Sequence, residues 1–506
     1  MRMRTIKILR LALLMSFAGL SACDNNLDIN PADQYSEATY WKNSDEAMAA
    51  LTGCYRVLLE GAGSNWFYET DMITPNGYAY NEANGTDAIA RGVHNGLTAL
   101  VTNRWQVAYK GIGRANTFLD RVQSIEMDGN LKKRAIGEAK FLRALNYFYL
   151  TDVFGGVPLI LEQPNLEKQA TLPRNSKAEV VEQILKDLAE AAESLPLKYG
   201  GADLGRATKG AALTLRARVL LYNERWAEAY ADAQKVMDLN TYKLFDSYRG
   251  LFLLENELNS EVIFDVEYRM PRFFNSFDYV SFQLNRPAPT KDLIDAYLMD
   301  DGKPWNQSGQ YDAAKPYEHR DPRLLQTINC IGYRYNGQIT QASQVVNTGF
   351  GLKKYTSYKD DTNIPLIGNN GSELNPILIR YAEALLIFAE ARNEASGPDA
   401  KVYDALNQLR QRKSVNMPKV EEGLNKEEMR NVIRRERRVE LAFEGIYYSD
   451  IRRWKTAETA NNQPVLNYKG EVVSRRTFDK NRDYLWPIPA DQVQLNPALE
   501  QNPNWH

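Results

Sequence analysis

Gly205–Asn240, GRATKGAALTLRARVLLYNERWAEAYADAQKVMDLN, is the stretch of sequence that decides the fold. Apolar residues recur at helical spacing in both of its halves, which is the pattern of two helices that each bury one face. A short polar turn separates the halves just before Trp226. The apolar positions are Leu213, Ala217 and Leu220 in the first half and Ala229, Ala233 and Val236 in the second. Because alanines let helices approach closely, the stretch predicts an antiparallel helix pair.

The length of this pair and its placement of small and large residues resemble a tetratricopeptide repeat, a helix pair of about 34 residues. Such a unit cannot bury its apolar face alone, so neighbouring helices are expected. Further amphipathic stretches lie at 41–58, 97–122, 131–154, 176–195, 376–394, 399–413 and 426–443. We therefore predict a mainly α fold with tetratricopeptide-like helix pairs as its scaffold. An ordinary helical hairpin within a bundle is the alternative for the single pair.

The character of the chain changes at Thr241. Glu261–Tyr268, EVIFDVEY, alternates apolar residues as a strand does, and irregular segments with Pro and Gly continue to about Asn375. This pattern predicts an irregular, loop-rich lobe that contains a few short strands. The predicted divisions are a leader (1–22), a lipidated N-terminus with a tether (23–40), N-terminal helical repeats with a binding loop at 61–96 (41–240), an irregular insertion lobe (241–374), and C-terminal helices with a tail (375–506).

Residues 1–23, MRMRTIKILRLALLMSFAGLSAC, have a basic start and an apolar run too short for a stable membrane-spanning helix. The run ends in Leu-Ser-Ala-Cys, which resembles the lipobox of a bacterial lipoprotein. That resemblance implies cleavage before Cys23 and attachment of lipid to it; a plain signal peptide is the alternative. No later stretch is long and apolar enough to cross a bilayer. Cys54 and Cys330 are expected to be free or buried, because two cysteines are too few to show a disulfide framework; a bond between them in an oxidising exterior is the alternative.

The composition narrows the functional classes. The chain has 62 Lys and Arg against 64 Asp and Glu, which argues against a general nucleic-acid binder. Its three histidines, His94, His319 and His506, are far apart and show no metal-ligand spacing, so neither a metal nor a cofactor is expected. The 29 Tyr and 8 Trp are a richer signal, because both residue types are favoured at recognition surfaces.

Residues 433–454 are dense in charge, and on a helix Glu436 and Glu440 share a face with apolar residues. Acids on a half-buried face need cationic partners, so we predict a structural ion-pair network; a perturbed catalytic acid is the alternative. The predicted partners in this network are the arginines nearby in the sequence, namely Arg434, Arg435, Arg437, Arg438, Arg452 and Arg453. Nucleophile-elbow, phosphate-loop and dinucleotide motifs are missing from the sequence, which agrees with a protein that binds rather than catalyses.

Several stretches in order resemble the SusD/RagB-like family of outer-membrane nutrient-binding lipoproteins. They are the lipobox, KFLRALNYFYLTDVFGGVPLI (140–160), DGKPWNQSGQYDAAKPYEHRDPRL (301–324), RYAEALLIFAEARNEA (380–395), IRRERRVELAFEGIYYSDIRRW (433–454) and YLWPIPADQVQLNPALEQNPNW (484–505). The resemblance implies a lipid-anchored outer-membrane protein that faces the exterior, caps a SusC-like TonB-dependent transporter and captures oligosaccharides. It implies no enzymatic activity. Oligopeptide binding on the same scaffold, a secreted glycoside hydrolase and a pure repeat scaffold are the alternatives.

Sugar capture needs flat aromatic faces together with amides and carboxylates for the hydroxyl groups. The aperiodic stretch 61–96 supplies that mixture, and a loop of such length between helices is uncommon unless it is functional. Trp305 in the insertion lobe is the best second platform. The predicted ligand-binding residues are Trp66, Tyr68, Asp71, Tyr78, Tyr80, Asn81 and Trp305.

Overall fold

A computed structural model of the chain describes residues 41–63, 66–80 and 84–505. The helices of its N-terminal half are α1 (Ser44–Gly63), α2 (Trp66–Met72), α3 (Thr86–Ala90), α4 (Ala99–Arg121), α5 (Gly129–Phe154), α6 (Leu166–Gln169), α7 (Lys177–Ser194), α8 (Lys209–Tyr222) and α9 (Trp226–Asp238). Those of the C-terminal half are α10 (Lys291–Ala296), α11 (Arg323–Thr327), α12 (Tyr381–Ser396), α13 (Ala400–Arg410), α14 (Lys426–Glu440), α15 (Tyr447–Arg453), α16 (Ala457–Ala460) and α17 (Ala490–Leu495).

The strands are short and pair two by two, always antiparallel. They are β1 (Gly77–Ala79), β2 (Val262–Asp265), β3 (Pro287–Pro289), β4 (Ile328–Cys330), β5 (Arg334–Tyr335), β6 (Gln338–Ile339), β7 (Phe350–Leu352), β8 (Ile377–Arg380), β9 (Pro464–Leu466) and β10 (Val472–Arg475). The pairs are β1–β3, β2–β8, β4–β7, β5–β6 and β9–β10. The predicted mainly α fold with a few short strands is confirmed.

The predicted helix pair is present as α8 and α9, which pack against each other and against α7 and α12. Thr208 caps α8 by accepting a hydrogen bond from the Ala211 amide, and Ala217, Ala229 and Ala233 are fully buried. The same packing continues along the chain from α4 to α5 and from α5 to α7. Helices therefore stack on their neighbours as a repeat scaffold requires.

Two predictions about secondary structure are wrong in detail. The 61–96 stretch is not a continuous loop: α1 extends to Gly63, and α2, β1 and α3 follow. The helix predicted from Pro376 starts only at Tyr381, because Ile377–Arg380 forms strand β8 and pairs with β2. A run of apolar residues cannot by itself distinguish a short buried strand from the first turn of a buried helix.

The apolar interior has two parts. The larger part joins the helices of both halves of the chain. The smaller part lies in the irregular lobe, includes Phe277 and Phe350, and is completed by Val439 and Phe443 at the end of α14. Cys54 lies in the first part and Cys330 in the second; both are free and buried, as expected.

The predicted ion-pair network is confirmed, but its partners come from elsewhere in the chain. Both carboxylates are buried: Glu440 accepts hydrogen bonds from Arg323, Arg380 and Arg412 at 2.8–2.9 Å. Glu436 is paired with Arg323 and Arg410. The arginines nearest in sequence project from α14 in other directions, which is why the predicted partners were wrong. Arg437, for example, donates to Asp450 at 2.9 Å.

The C-terminal tail, residues 484–505, packs along the N-terminal helices. Trp486 is fully buried, and its backbone amide donates to the Val153 carbonyl at 2.7 Å. The Asn502 amide donates to the Phe154 carbonyl at 3.0 Å. Arg174 donates to the Glu500 carbonyl at 2.9 Å. The last residues of the chain therefore complete the packing around the end of α5.

Candidate functional site

The β1–β3 pair joins the aromatic stretch 61–96 to the irregular lobe. Tyr78 lies opposite Ala288, and Ala79 lies opposite Pro287. Gly77 lies opposite Pro289 at the other end of the ladder. The two parts of the chain that were singled out for ligand binding therefore meet at one place, which we call the β1–β3 surface, defined by residues 77–80 and 286–291.

Tyr68 and Asp71 lie beneath this surface and are fully buried. The Tyr68 ring packs edge-on against Phe277, with 5.6 Å between the ring centroids. The Asp71 carboxylate accepts hydrogen bonds from the Asn76 amide and the Gly445 backbone N–H, both at 2.8 Å. Burial raises the pKa of Asp71 to about 6 although both hydrogen bonds oppose the shift. The structure thus gives both side chains a role in supporting the strand pair, and their predicted ligand contact stays a prediction.

Tyr78 and Tyr80 point away from the chain interior in alternation with the buried Gly77 and Ala79. The Tyr80 side chain is 44% exposed, so its ring is available to a ligand. Tyr78 is half-buried, and its pKa is raised first by burial and then by Asp87. Trp66 begins α2, but its side chain and the whole of Asn81 lie outside the described residues.

Trp305 lies at the other end of the β1–β3 ladder and is half-buried. The Lys291 ammonium lies 5.0 Å from the centroid of its ring, and the Tyr311 ring lies 5.0 Å away on centroids. Lys291 follows the last residue of β3 by two positions and contacts Trp305, so this end of the ladder lies near Trp305. Tyr80 and Trp305 therefore belong to opposite ends of one strand pair rather than to one pocket.

Three polar residues lie near Tyr80: Asn84, which belongs to the polar and aromatic mixture of the 61–96 stretch, and Glu69 and Arg286, which were not predicted from the sequence. The buried Glu69 carboxylate accepts a hydrogen bond from the Asn84 amide at 2.6 Å. Burial raises the pKa of Glu69 to about 7, while Asn84 and the Arg286 guanidinium oppose the shift. No hydrogen bond or ion pair joins the half-buried Arg286 guanidinium to another side chain in the described part of the chain. A carboxyl, an amide and a guanidinium together can bind sugar hydroxyls.

An aromatic hairpin, residues 269–274, was also missed. It is closed by two backbone hydrogen bonds between Arg269 and Phe273, of 2.9 and 3.0 Å. Met270, Phe273 and Phe274 are 42%, 39% and 42% exposed, which is unusual for three apolar residues so close together. The hairpin is joined to the β1–β3 surface by the helical turn at 279–283. The run RFFN offered a signal in the sequence, because consecutive phenylalanines cannot both face the interior of a strand.

Some kinds of site are not found in the part of the chain that the structure describes. No three His, Cys, Asp or Glu side chains there are arranged to hold a metal ion. None of the helices described is long and apolar enough to cross a membrane.

Comparisons with known proteins place the chain in a family. Residues 284–505 match the model of the SusD family, and residues 27–221 match a model described as starch-binding associating with outer membrane. SusD-like protein P2 of Formosa agariphila is 28% identical over 535 residues, covering 99% of both chains. Starch-binding protein SusD of Bacteroides thetaiotaomicron is 26% identical over 585 residues, covering 99% of both chains.

A solved structure agrees with these matches. The crystal structure of a SusD-like carbohydrate-binding protein from Bacteroides fragilis superposes with a TM-score of 0.84 at 28% identity, covering 91% of this chain and 100% of that one. The two family models together match both halves of the chain, residues 27–221 and 284–505. The chain therefore belongs to the SusD/RagB-like family.

Proposed function

We propose that the protein is a non-enzymatic, lipid-anchored glycan-binding protein that captures oligosaccharide at the cell surface and delivers it to a SusC-like TonB-dependent transporter of the outer membrane. The observation that carries the proposal is the β1–β3 surface, to which the chain connects the exposed aromatic hairpin through residues 275–285. Tyr80 is exposed there directly after β1, and Arg286, directly before β3, acts on the Glu69 carboxyl that accepts a hydrogen bond from Asn84. The family membership and the carbohydrate-binding relatives support the ligand class.

The scaffold supports binding to a preformed surface. Asp71 and Tyr68 fix β1 from below, and Thr290 accepts the amide hydrogen of Leu293 at the start of α10. Aromatic rings on a rigid base lose little entropy when a ligand docks, so several modest contacts add up to useful affinity.

The acids of the described interior support a role without catalysis. Burial opposes the charge of Glu440, but Arg412, Arg380 and Arg323 outweigh it and hold its pKa well below the usual range. It is fully buried and cannot reach a substrate. Glu69 is the acid near the β1–β3 surface whose pKa of about 7 would suit a general acid. A glycoside hydrolase would need a second carboxyl within about 5–10 Å of it in an open cleft.

The binding test uses a form of the protein that starts at Asp24, titrated calorimetrically with panels of oligosaccharides and of peptides. Tyr80→Ala and Phe274→Ala should each weaken glycan binding about fivefold or more, as aromatic anchors at an interface do. Leu166→Ala removes a side chain that is 83% exposed on α6 and should leave binding unchanged. Peptide binding without glycan binding would move the protein to the oligopeptide alternative.

Two further measurements complete the test. Product analysis after prolonged incubation with the bound glycan should show no cleavage; cleavage that Glu69→Gln abolishes would replace the proposal with a hydrolase. In phase partitioning with detergent, the full-length wild type should enter the detergent phase, and the Cys23→Ser variant should stay in the aqueous phase. Equal partitioning of the two would refute the lipid anchor.

A further inference from the structure

A second concave surface lies away from the residues considered so far. It is an open pocket of about 390 Å³ between the ends of α5 and α8, the start of α7 and the segment after α15. The rings of Phe148 and Tyr222, with 5.5 Å between their centroids, line one part of it. None of the residues of the β1–β3 surface lines the pocket. Its volume lies within the range of sites for small molecules, which begins at roughly 300 Å³.

The cationic side chains that line this pocket are Lys177, Arg452, Arg453 and Lys455. Arg453 is balanced outside the pocket, because it pairs with Glu390 at 2.6 Å and with Asp450 at 2.8 Å. Lys177 and Lys455 are exposed, and no hydrogen bond or ion pair joins either ammonium group to an acid within residues 84–505. Two ammonium groups therefore face the pocket without a direct acidic partner in this range.

Two acids line the pocket, Asp152 and Glu224. Asp152 is already engaged, since its Oδ2 atom accepts hydrogen bonds from the Ser449 hydroxyl at 2.7 Å and from the Arg452 guanidinium at 2.9 Å. Glu224 lies exposed on the turn between α8 and α9. One acid thus serves Arg452, and the other stands alone against two lysines. The lining of the pocket carries an excess of positive charge.

This excess acts on Lys177. Burial is the first cause that lowers the pKa of its ammonium group, and the nearby Arg452 and Lys455 lower the pKa further. Asp152 and Glu224 oppose the shift without cancelling it. Because like charges close together raise the free energy of the empty pocket, an anion bound between them would relieve the repulsion.

The size and lining of the pocket favour a sugar acid over a bare inorganic anion. A sulfate ion would fill only a small part of the 390 Å³. Phe148 and Tyr222 offer apolar contact to a sugar ring. The Asn223 amide lines the pocket, and Asp152 is 19% exposed there with an Oδ1 atom to which no described group donates. Amide and carboxylate oxygens of this kind accept hydrogen bonds from sugar hydroxyls.

We propose that this pocket binds a sugar acid of one or two residues, whose carboxylate lies between Lys177 and Lys455. The rings of Phe148 and Tyr222 contact the sugar ring. Lys455 is held at the wall of the pocket, because its ammonium group lies 4.3 Å from the centroid of the Tyr484 ring. Hydrogen bonds between an ammonium group and a carboxylate are charge-assisted and strong, so they provide the selectivity for an acid. This site is independent of the glycan surface proposed above.

The test is calorimetry at about pH 7, where a sugar acid is ionised, on the form that starts at Asp24. The probes are glucuronic acid, glucose and inorganic sulfate. Glucuronic acid should bind at least about tenfold more tightly than either of the others. Raising the salt concentration from about 0.1 M to about 1 M should weaken its binding, because the Debye length falls from about 10 Å to about 3 Å.

Three variants at exposed positions, which should leave the fold intact, test the assignment of the charges. Lys177→Gln and Lys455→Gln should each lower the affinity for glucuronic acid about fivefold, since each removes one charge-assisted contact. Glu224→Gln removes an acid that repels the ligand and should raise the affinity about twofold. Lys186→Gln is the matched control, because this lysine of α7 is also exposed but does not line the pocket.

Four results would each overturn the proposal. They are no binding of glucuronic acid, equally tight binding of glucose or of sulfate, a Lys177→Gln variant that binds as the Lys186→Gln control does, and weaker binding by Glu224→Gln. Equal binding of sulfate would show an ion site only. None of these outcomes depends on the β1–β3 surface, so the two sites stand or fall separately.

Discussion

Replacing Glu440 with glutamine removes one negative charge from the buried network around α14 while keeping the size of the side chain. In the wild type its two oxygens accept hydrogen bonds of 2.8, 2.8 and 2.9 Å from three guanidinium groups. The network is balanced: its cations are Arg323, Arg380, Arg410, Arg412 and Lys354, and its anions are Asp321, Glu261, Glu436, Glu440 and Glu444.

The variant leaves one buried positive charge without compensation. Glu440 and two of its partners, Arg323 and Arg380, are at most 1% exposed, so water cannot replace the lost carboxylate. Breaking a buried pair in this way costs about 3–5 kcal/mol, far more than the pair contributes relative to an apolar replacement. Urea unfolding followed by circular dichroism, on the form that starts at Asp24, measures the loss as a lower midpoint.

Glu60→Gln is the matched control, because this acid pairs with Lys110 at 2.8 Å with both side chains well exposed. An exposed pair contributes at most about 1 kcal/mol, so the control should barely shift the midpoint. If Glu440→Gln lowered the stability no more than the control does, the substitution would not leave a costly buried charge. That result would refute the reasoning.

Three other predictions follow from the described residues. Burial opposes the charge of Glu390, but its arginine partners lower its pKa from 4.5 to about 2. Roughly 3 kcal/mol of stability that is present above pH 4.5 should therefore be lost as the pH falls to 2, and acid unfolding measures this loss. Ser176→Ala removes the capping box of α7 and should cost about 1 kcal/mol in urea unfolding; no change would contradict the cap. Gly111→Ala places a methyl group 2.5 Å from the Asn146 amide and should lower the stability of the protein by about 1–3 kcal/mol. In the control variant Gly53→Ala, in α1, the added methyl group meets nothing within 4 Å, so its effect should be neutral or stabilising. Similar melting temperatures of the two variants would refute the clash.

The helical scaffold was predictable because its signal is local. The helical spacing of apolar residues in 205–240 locates both α8 and α9 to within a few residues. Ser176 and Asn425 are helix caps that mark the starts of α7 and α14. Strand β8 was not predictable, since its pairing with β2 joins residues more than 110 positions apart. The partners of Glu440 were missed for the same reason: Arg323 lies 117 positions away.

The candidate site was predictable only in part. The aromatic stretch 61–96 contains Tyr80, whose side chain is exposed, and its role in ligand binding stays a prediction. Composition could not show which polar and aromatic residues turn inward, so Tyr68 and Asp71 were selected although both are buried. Arg286 could not be found from the sequence, because only the pairing of β1 with β3 brings it to Glu69.

The packing of the tail has a consequence for synthesis and quality control. Trp486 and Asn502 complete the surroundings of Phe154, yet they are made more than 330 residues later. The end of α5 therefore lacks part of its cover until residues 486–502 have been made. A chain that stops short exposes apolar side chains and unpaired carbonyls there, which proteases and chaperones recognise. A chain truncated before Trp486 would therefore be recognised through the exposed end of α5.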